Sequence, residues 1–313
     1  MTVTPRSHGG GSSGLGFEAA VNHHTQRFKP NMIQLPVLSI ITPSLNQGMY
    51  LEKTILSVKN QDYHSIEHIV VDGGSTDGSV DLLKQYEGRY NLRWVSEPDE
   101  GQADAIRKGF RLAKGDFLCW LNADDVYVSL KTVSRALAFF NEYPTMDAVT
   151  GGGVYIDEEG HWTGLIEASP NRCSFHFLRY MDAILQPATF FKKRVLETVR
   201  MDTSLHYGFD WDFFIQLSKH YNLLAVPEIW AGYRMGRHNK TVTGGAARVR
   251  ELREVTKRYL GKTAWQYWTL GFYYVLYQSV EKTPIPIQGY LKTGIGKMSL
   301  LVSYLCDERI TTV

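Results

Sequence analysis

The sequence predicts an α/β fold, a doubly wound and mostly parallel sheet flanked by helices, with a helical extension towards the C-terminal end. Three observations carry that reading. Short apolar runs alternate with stretches of helical periodicity through to about residue 155, the pattern of right-handed βαβ units. Two of the runs end directly in acidic or Gly-rich loops, at Asp72 and at Asn122-Ala123-Asp124-Asp125, where such a sheet opens its ligand crevice. From about residue 246 the alternation stops, and a cationic and then aromatic segment takes over.

The elements follow in order. VLSIIT, Val37 to Thr42, is a mostly apolar run ended by Pro43, as expected of a strand buried on both faces. Leu51, Ile55 and Val58 recur at i, i+4 and i+7 and predict a helix over 48–60. Ile66 to Val71 is a second strand, broken at Asp72-Gly73-Gly74-Ser75-Thr76-Asp77-Gly78, after which Val80, Leu83 and Tyr86 mark a helix. Leu92 to Val95 is a short strand, and Ile106, Phe110 and Ala113 line the next helix. Phe117 to Leu121 is a fourth strand, followed by a helix lined by Val133, Ala136, Leu137 and Phe140.

Residues 183–242 are mixed and continue the domain: ILQPATFF, a helix near 192–200, GFDWDFFIQLS and the apolar Leu223 to Val226. Beyond them Arg248, Arg250, Arg253, Lys257, Arg258 and Lys262 face only Glu251 and Glu254. Thr263 to Val280 then runs eighteen residues without a charge, seven of them aromatic. The expected organisation is a flexible tail over 1–34, a domain over 35–243 and an aromatic-rich helical extension over 244–313.

Composition narrows the function. Lys+Arg 34 against Asp+Glu 32 gives a net charge of +2, without the surplus that neutralising many phosphates requires, so no nucleic-acid partner is expected. Cys119, Cys173 and Cys306 show no CxxC or CxxH spacing and the chain no HExxH, which argues against a disulfide framework or structural zinc and for a reducing, cytoplasmic setting. Residues 1–34 contain HGGGSSGLG and no apolar core of a secretory signal. His23 and His24 in that polar stretch read as solvated.

Three loops carry chemistry, each with two readings. The adjacent carboxylates of Asn122-Ala123-Asp124-Asp125 suit a divalent cation that brings its own phosphate oxygens, or they cap a helix from about 128. Asp72-Gly73-Gly74 lets backbone approach a ligand while Asp72 accepts from a base or ribose, or it is a turn with Asp77 or Ser79 as the cap. Asp210 in Gly208-Phe209-Asp210-Trp211-Asp212 is a general base, or a helix-start cap.

Taken together, in their order and spacing, these loops resemble the family 2 glycosyltransferases, nucleotide-sugar enzymes of the GT-A fold. The resemblance covers roughly 36–242, through LSIITPSLNQGMYLEKTILSVKNQDY, HIVVDGGSTDGSVDLL, SEPDEGQADAIRKGFRLAKGDFLCWLNADD, QPATFFKKRVLETV and LHYGFDWDFFIQL. It implies that Pro43, Ser44, Asn46 and Asp72 lie at the nucleotide, with Gln102, Asn122, Gln186 and Arg237 also touching substrate. It implies Asp124 as principal ligand of Mn²⁺ or Mg²⁺, with Asp125 and His238 supporting, and Asp210 as catalytic base. The sequence departs from the family pattern at Asn122, where an aspartate is frequent, at Gly73, Ile106 and Gln216, and at Phe209, where Glu precedes the base.

The resemblance thus implies inverting transfer from a nucleotide sugar, a UDP-sugar being favoured, to a hydroxyl of a glycan or lipid-linked acceptor, as in cell-surface polysaccharide synthesis. A non-catalytic nucleotide-sugar or glycan-binding module stays open, as does a sugar-1-phosphate nucleotidyltransferase, although TPSLNQ lacks that class's basic phosphate loop. For the extension, helices packed on the domain are expected. The rival is peripheral contact of 246–280 with the inner face of a membrane, since Gln266, Gly271 and Gln278 make spanning unfavourable.

Overall fold

The computed structural model describes residues 35–236 and 239–281. The expected tail, the pair His23 and His24, the candidates Arg237 and His238, Cys306 and the last part of the extension lie outside the described residues. The chain runs β1 (Leu38–Ser44), α1 (Gly48–Lys59), β2 (Ile66–Asp72), α2 (Ser79–Tyr86), β3 (Leu92–Ser96), α3 (Gln102–Leu112) and β4 (Phe117–Trp120). It continues as β5 (Val126–Tyr127), α4 (Thr132–Glu142), β6 (Ala148–Ile156), β7 (Trp162–Ile166), α5 (Phe175–Leu178), β8 (Thr189–Lys192) and α6 (Phe209–His220). β9 (Leu223–Arg234), α7 (Lys240–Thr243), α8 (Gly245–Leu260) and α9 (Trp265–Glu281) are the last elements among the described residues.

The sheet order is β3-β2-β1-β4-β8-β6-β9-β5, with β7 on β6. The first four strands are parallel, with β1 and β2 buried along their whole length, so the doubly wound α/β class holds. The second half is mixed: β8 runs antiparallel to β4 and β6, while β9 runs parallel to β6 and antiparallel to β5.

Four local expectations change. β1 does not stop at Pro43 but continues to Ser44. The Ile41 carbonyl accepts from Leu121 N–H on the β4 side, and the Ser44 carbonyl from Gly73 N–H on the β2 side. By alternation Pro43 faces the β4 side, where β4 has already ended at Trp120, and its missing N–H leaves no ladder bond unmade.

The helix expected from about 128 starts at Thr132 because β5 intervenes, so neither Asp124 nor Asp125 caps it. The helix expected near 192–200 is a single 3-10 turn, Lys193–Glu197. Arg200 donates to the carbonyls of Leu196, Glu197 and Val199 that a further turn would use. Leu223 to Val226 is only the start of the twelve-residue β9, whose Pro227 falls within the register shift between the Thr150–Ala225 and Gly152–Ile229 pairs, where a proline is tolerated.

The core beneath the sheet's open end is aromatic. Trp120 of β4 packs edge-on to Phe213 at 5.3 Å and stacks on Phe214 at 5.5 Å, and Phe110 and Phe191 close the cluster. α6 is thereby seated by its own FDWDFF aromatics, which fixes where its first turn points. On the other face of α6, Asp212 is fully buried and accepts from Arg258 at 2.7 Å, Tyr259 at 2.8 Å and Gln216 at 2.7 Å. α8 is tied to α6 through that carboxylate. Among the described residues no helix is long and apolar enough to cross a membrane.

Candidate active site

Where β4 ends and β1 runs on, a cleft of about 1480 Å³ opens. Pro43 and Ser44 from β1, Asn46 from the loop after it and Gln102 at the start of α3 line one side. Asn122, Asp124 and Gln186 lie along it, and Asp210 from the first turn of α6 faces it. Asn46 stands at φ 52°, a left-handed position that asparagine tolerates. It is pinned there by Thr76 N–H on its side-chain oxygen and by its own N–H on Ser75 Oγ.

The acidic loop is braced from within. Asn122 Nδ2 donates to Asp125 Oδ2 at 3.0 Å and to Gln186 Oε1 at 3.0 Å, and Asn122 Oδ1 accepts from Gln102 Nε2 at 2.7 Å. Lys240 donates to Gln102 Oε1 at 3.1 Å, and Gln186 Nε2 donates to the Trp120 carbonyl. Arg234 N–H donates to the other Asp125 oxygen at 3.0 Å, and its guanidinium holds the carbonyls of Asp124, Asp157 and Glu158 while lying 4.5 Å over the Tyr50 ring. Asp125, 1% exposed, is therefore a brace rather than a second carboxylate in the cleft. Burial pushes its carboxyl well above the ordinary range, and the Asp124 charge adds to that. An aspartate at 122 would turn a donor against Asp125 and Gln186 into a further acceptor, a physical reason for asparagine there.

Asp72 differs from its expected place. It is fully buried, does not line the cleft, and accepts from Gly74 N–H, Ser75 N–H and Oγ, and Ser96 Oγ. A buried carboxylate must find such donors, and its own Gly-rich loop supplies them. A Cβ at Gly73 would meet Asp99 Oδ2 at 2.7 Å, and Asp99 does line the cleft. The carboxylate at this end thus comes from the loop after β3.

At the other end Asp210 shares the cleft with Asp182, which precedes β8, and with Lys240 and Arg248. Asp182 keeps surface open to the cleft, yet crowding by protein pushes its carboxyl well up, and the Asp210 charge pushes it further. Burial also raises Asp210, against its bond from Trp211 N–H and the charges of Arg248 and Lys240. Lys240 keeps exposed surface, yet crowding by protein lowers its ammonium despite the anions around it. Glu251 of α8 accepts from the N–H groups of His206 and Tyr207, fixing the approach to α6.

A model of glycosyl transferase family 2 matches residues 39–203, just over half of the chain. The chain belongs to that family. A PGL/p-HBAD biosynthesis glycosyltransferase of Mycobacterium bovis is 30% identical over 185 residues, 58% of this chain and 69% of that protein. An uncharacterised glycosyltransferase of Mycobacterium tuberculosis is 40% identical over 107 residues, 34% of this chain and 40% of that one. Two solved structures share the GT-A-type fold at low identity. Staphylococcus aureus TarS 1-349 in complex with UDP-GlcNAc matches with a TM-score of 0.57 at 16% identity, over 80% of this chain and 77% of that one. The mannosyltransferase PcManGT of Pyrobaculum calidifontis, in complex with GDP-Man and Mn²⁺, gives 0.55 at 18%, over 88% and 84%.

For this family 2 glycosyltransferase the metal question narrows to Asp124. Burial raises its carboxyl, opposed by its own N–H and by Arg234 and Lys240, so a cation would relieve a desolvated charge. The described residues hold one group with converging ligand atoms, Asp157, Glu159 and His161, on the largely exposed β6–β7 turn and outside the cleft lining. One carboxylate of the acidic loop facing the cleft fits Mn²⁺ or Mg²⁺ carried in by phosphate oxygens rather than held in an all-protein cage. Asp99, Asp182, Arg234, Lys240 and Arg248 escaped the sequence reading. Asp99 falls in the SEPDEG stretch that carries the resemblance and Arg248 in the cationic run, but neither was expected in the site.

Proposed function

We propose that the enzyme transfers a sugar, with inversion, from a nucleoside-diphosphate sugar to a hydroxyl of a glycan or lipid-linked acceptor in cell-surface glycan synthesis. A UDP-sugar is the favoured donor. The observation that carries this is the arrangement of one cleft with Asp124 at its strand-end side and the raised carboxylates of Asp210 and Asp182 at the other. Pro43, Ser44, Asn46 and Asp99 take the nucleotide, and Lys240 lies between the two carboxylate ends with its ammonium facing both. Bound at Asp124, Mn²⁺ or Mg²⁺ supplies charge neutralisation for the departing diphosphate. Asp210 takes the proton of the attacking hydroxyl, and its raised affinity for protons makes it a stronger base near neutral pH than an ordinary aspartate.

The acceptor attacks from the face opposite the diphosphate, through an oxocarbenium-like transition state as in glycoside hydrolysis. The domain over 35–243 carries the chemistry, with 244–313 as its extension, and the protein works at the cytoplasmic side, peripheral to the membrane. The test is a coupled nucleoside-diphosphate release assay beside calorimetry. Asp124→Ala is expected to lose Mn²⁺-dependent binding of nucleotide, and unchanged binding removes Asp124 as the ligand. A wild type that binds nucleotide sugars yet releases no diphosphate over a panel of donors and acceptors would leave only the binding-module reading.

A further inference from the structure

Past the Asp210–Asp182 pair the cleft does not close. It continues between the loop carrying Met181 and the last two helices, where Leu252 of α8 and Trp265, Leu270 and Tyr273 of α9 form its wall. Within that apolar wall lies Gln266, only 8% exposed, whose Oε1 and Nε2 both lack a hydrogen-bond partner among the described residues. An amide buried with neither end satisfied carries its full desolvation penalty, and it offers an incoming molecule one donor and one acceptor side by side. The outer face of α9 continues the apolar surface away from the cleft: Trp265, Trp268, Phe272 and Val275 are 47%, 64%, 57% and 59% exposed. Their spacing of three, four and three residues places them on one side of the helix.

We propose that α9 builds an acceptor subsite for an amphipathic acceptor, a hydroxyl-bearing head on an apolar stem. The head reaches Asp210, a polar group beside the reacting hydroxyl pairs with the Gln266 amide, and the stem lies on Trp265 and leaves along Trp268, Phe272 and Val275. The occupant follows from the order of surfaces along one continuous path: carboxylate pair, lone amide, apolar wall, exposed apolar stripe. A free glycan would leave the stripe uncovered, and a bilayer lying on the stripe would leave the amide unpaired. The inference rests on the reading of this cleft as the site of glycosyl transfer.

The probes are methyl, hexyl and octyl glucoside, titrated below their micelle concentrations into the full chain with nucleotide and Mn²⁺ present and read by calorimetry. Affinity is expected to rise at least about tenfold from methyl to octyl. Trp268→Ser should remove most of that chain-length dependence. Gln266→Leu, near in volume, should cut the preference for octyl glucoside over octanol several-fold without altering nucleotide binding. A flat chain-length series overturns the proposal, as does a Gln266→Leu protein that discriminates as the wild type does. So does a protein whose stripe variants lose only binding to anionic phospholipid vesicles. Asp210→Asn separates the two readings: it should keep glucoside binding, and chain-length-dependent binding without any transfer by wild type would fail the enzyme reading alone.

Discussion

The two ends of the cleft are built by different means. The strand-end side takes its residues from loops that each follow a parallel strand, so a short contiguous stretch supplies both the backbone and the side chains. The Asp210 side is assembled from the loop before β8, the first turn of α6, α7 and α8, spread over residues 182–248 and joined by packing and by hydrogen bonds between elements. On the first side Asp72 is satisfied mainly by its own loop, while the acidic loop leans on Gln186 and Arg234 from far along the chain. On the second side polar groups are held by distant partners, as Asp212 is by Arg258 and Tyr259. The Asp72 loop can therefore be altered locally, whereas the Asp210 end depends on α8.

That contrast is open to attack by substitution. The largest effect is expected from Asp210→Asn, with a transfer rate lower by about a thousandfold, worth about 4 kcal/mol of barrier, and unchanged nucleotide affinity. Turnover near the wild-type rate would remove Asp210 as base and the division of labour with it. Because the carboxyl is raised, the acid limb of wild-type kcat should lie above about pH 4, the ordinary aspartate range; a pH–rate profile flat down to that value contradicts the burial argument.

Next, Arg258→Ala strips a fully buried carboxylate of its ionic partner and should cost about 3 kcal/mol in urea unfolding. A loss below about 1 kcal/mol would mean that α8 is an ornament rather than a support. Asn122→Asp is expected to cost about 2 kcal/mol of stability by setting an anion against Asp125. Restoration by adding Mn²⁺ would show that metal, rather than the amide chain, governs that loop.

The smallest effect should come from Asp182→Asn. A carboxyl raised on folding holds its proton more tightly in the folded state, so its stabilising share is complete below the unfolded pKa and is lost as pH rises through the folded one. Removing it should therefore stabilise the protein at pH 7, by no more than about 0.5 kcal/mol because solvent screens the exposed carboxyl, a gain that vanishes below about pH 4. A melting curve with the same gain at both pH values would deny that Asp182 is a desolvated carboxyl.

The same contrast decides what could be read from the residues. The parallel half was legible because β1 and β2 are buried on both faces and so read as apolar runs, and because loops after parallel strands face one edge. Asp124 and Asp210, which both line the cleft, were reached through the family resemblance, since each loop alone could equally be read as a cap. Asp72 was misplaced because a strand-end aspartate has the same appearance whether it faces a ligand or its own loop. Pro43 was taken as a stop because the early end of β4, which leaves its side of β1 free, is a fact of register. Asp182, Lys240, Arg248 and Gln266 belong to no motif, and in the cationic run of α8 nothing in sequence separates Arg258, which holds Asp212, from a solvated neighbour.

The row of amides from Lys240 through Gln102 and Asn122 to Gln186 has a direction. An ammonium can only donate and the peptide carbonyl of Trp120 can only accept, so the two ends dictate which way every amide between them is turned. None can rotate alone without setting two acceptors or two donors face to face. Nitrogen and oxygen along this wall of the cleft are thus ordered from both ends, and a ligand that draws Lys240 away opens Gln102 Oε1 as an acceptor while the Trp120 carbonyl and Asp125 still hold the amides as they stand.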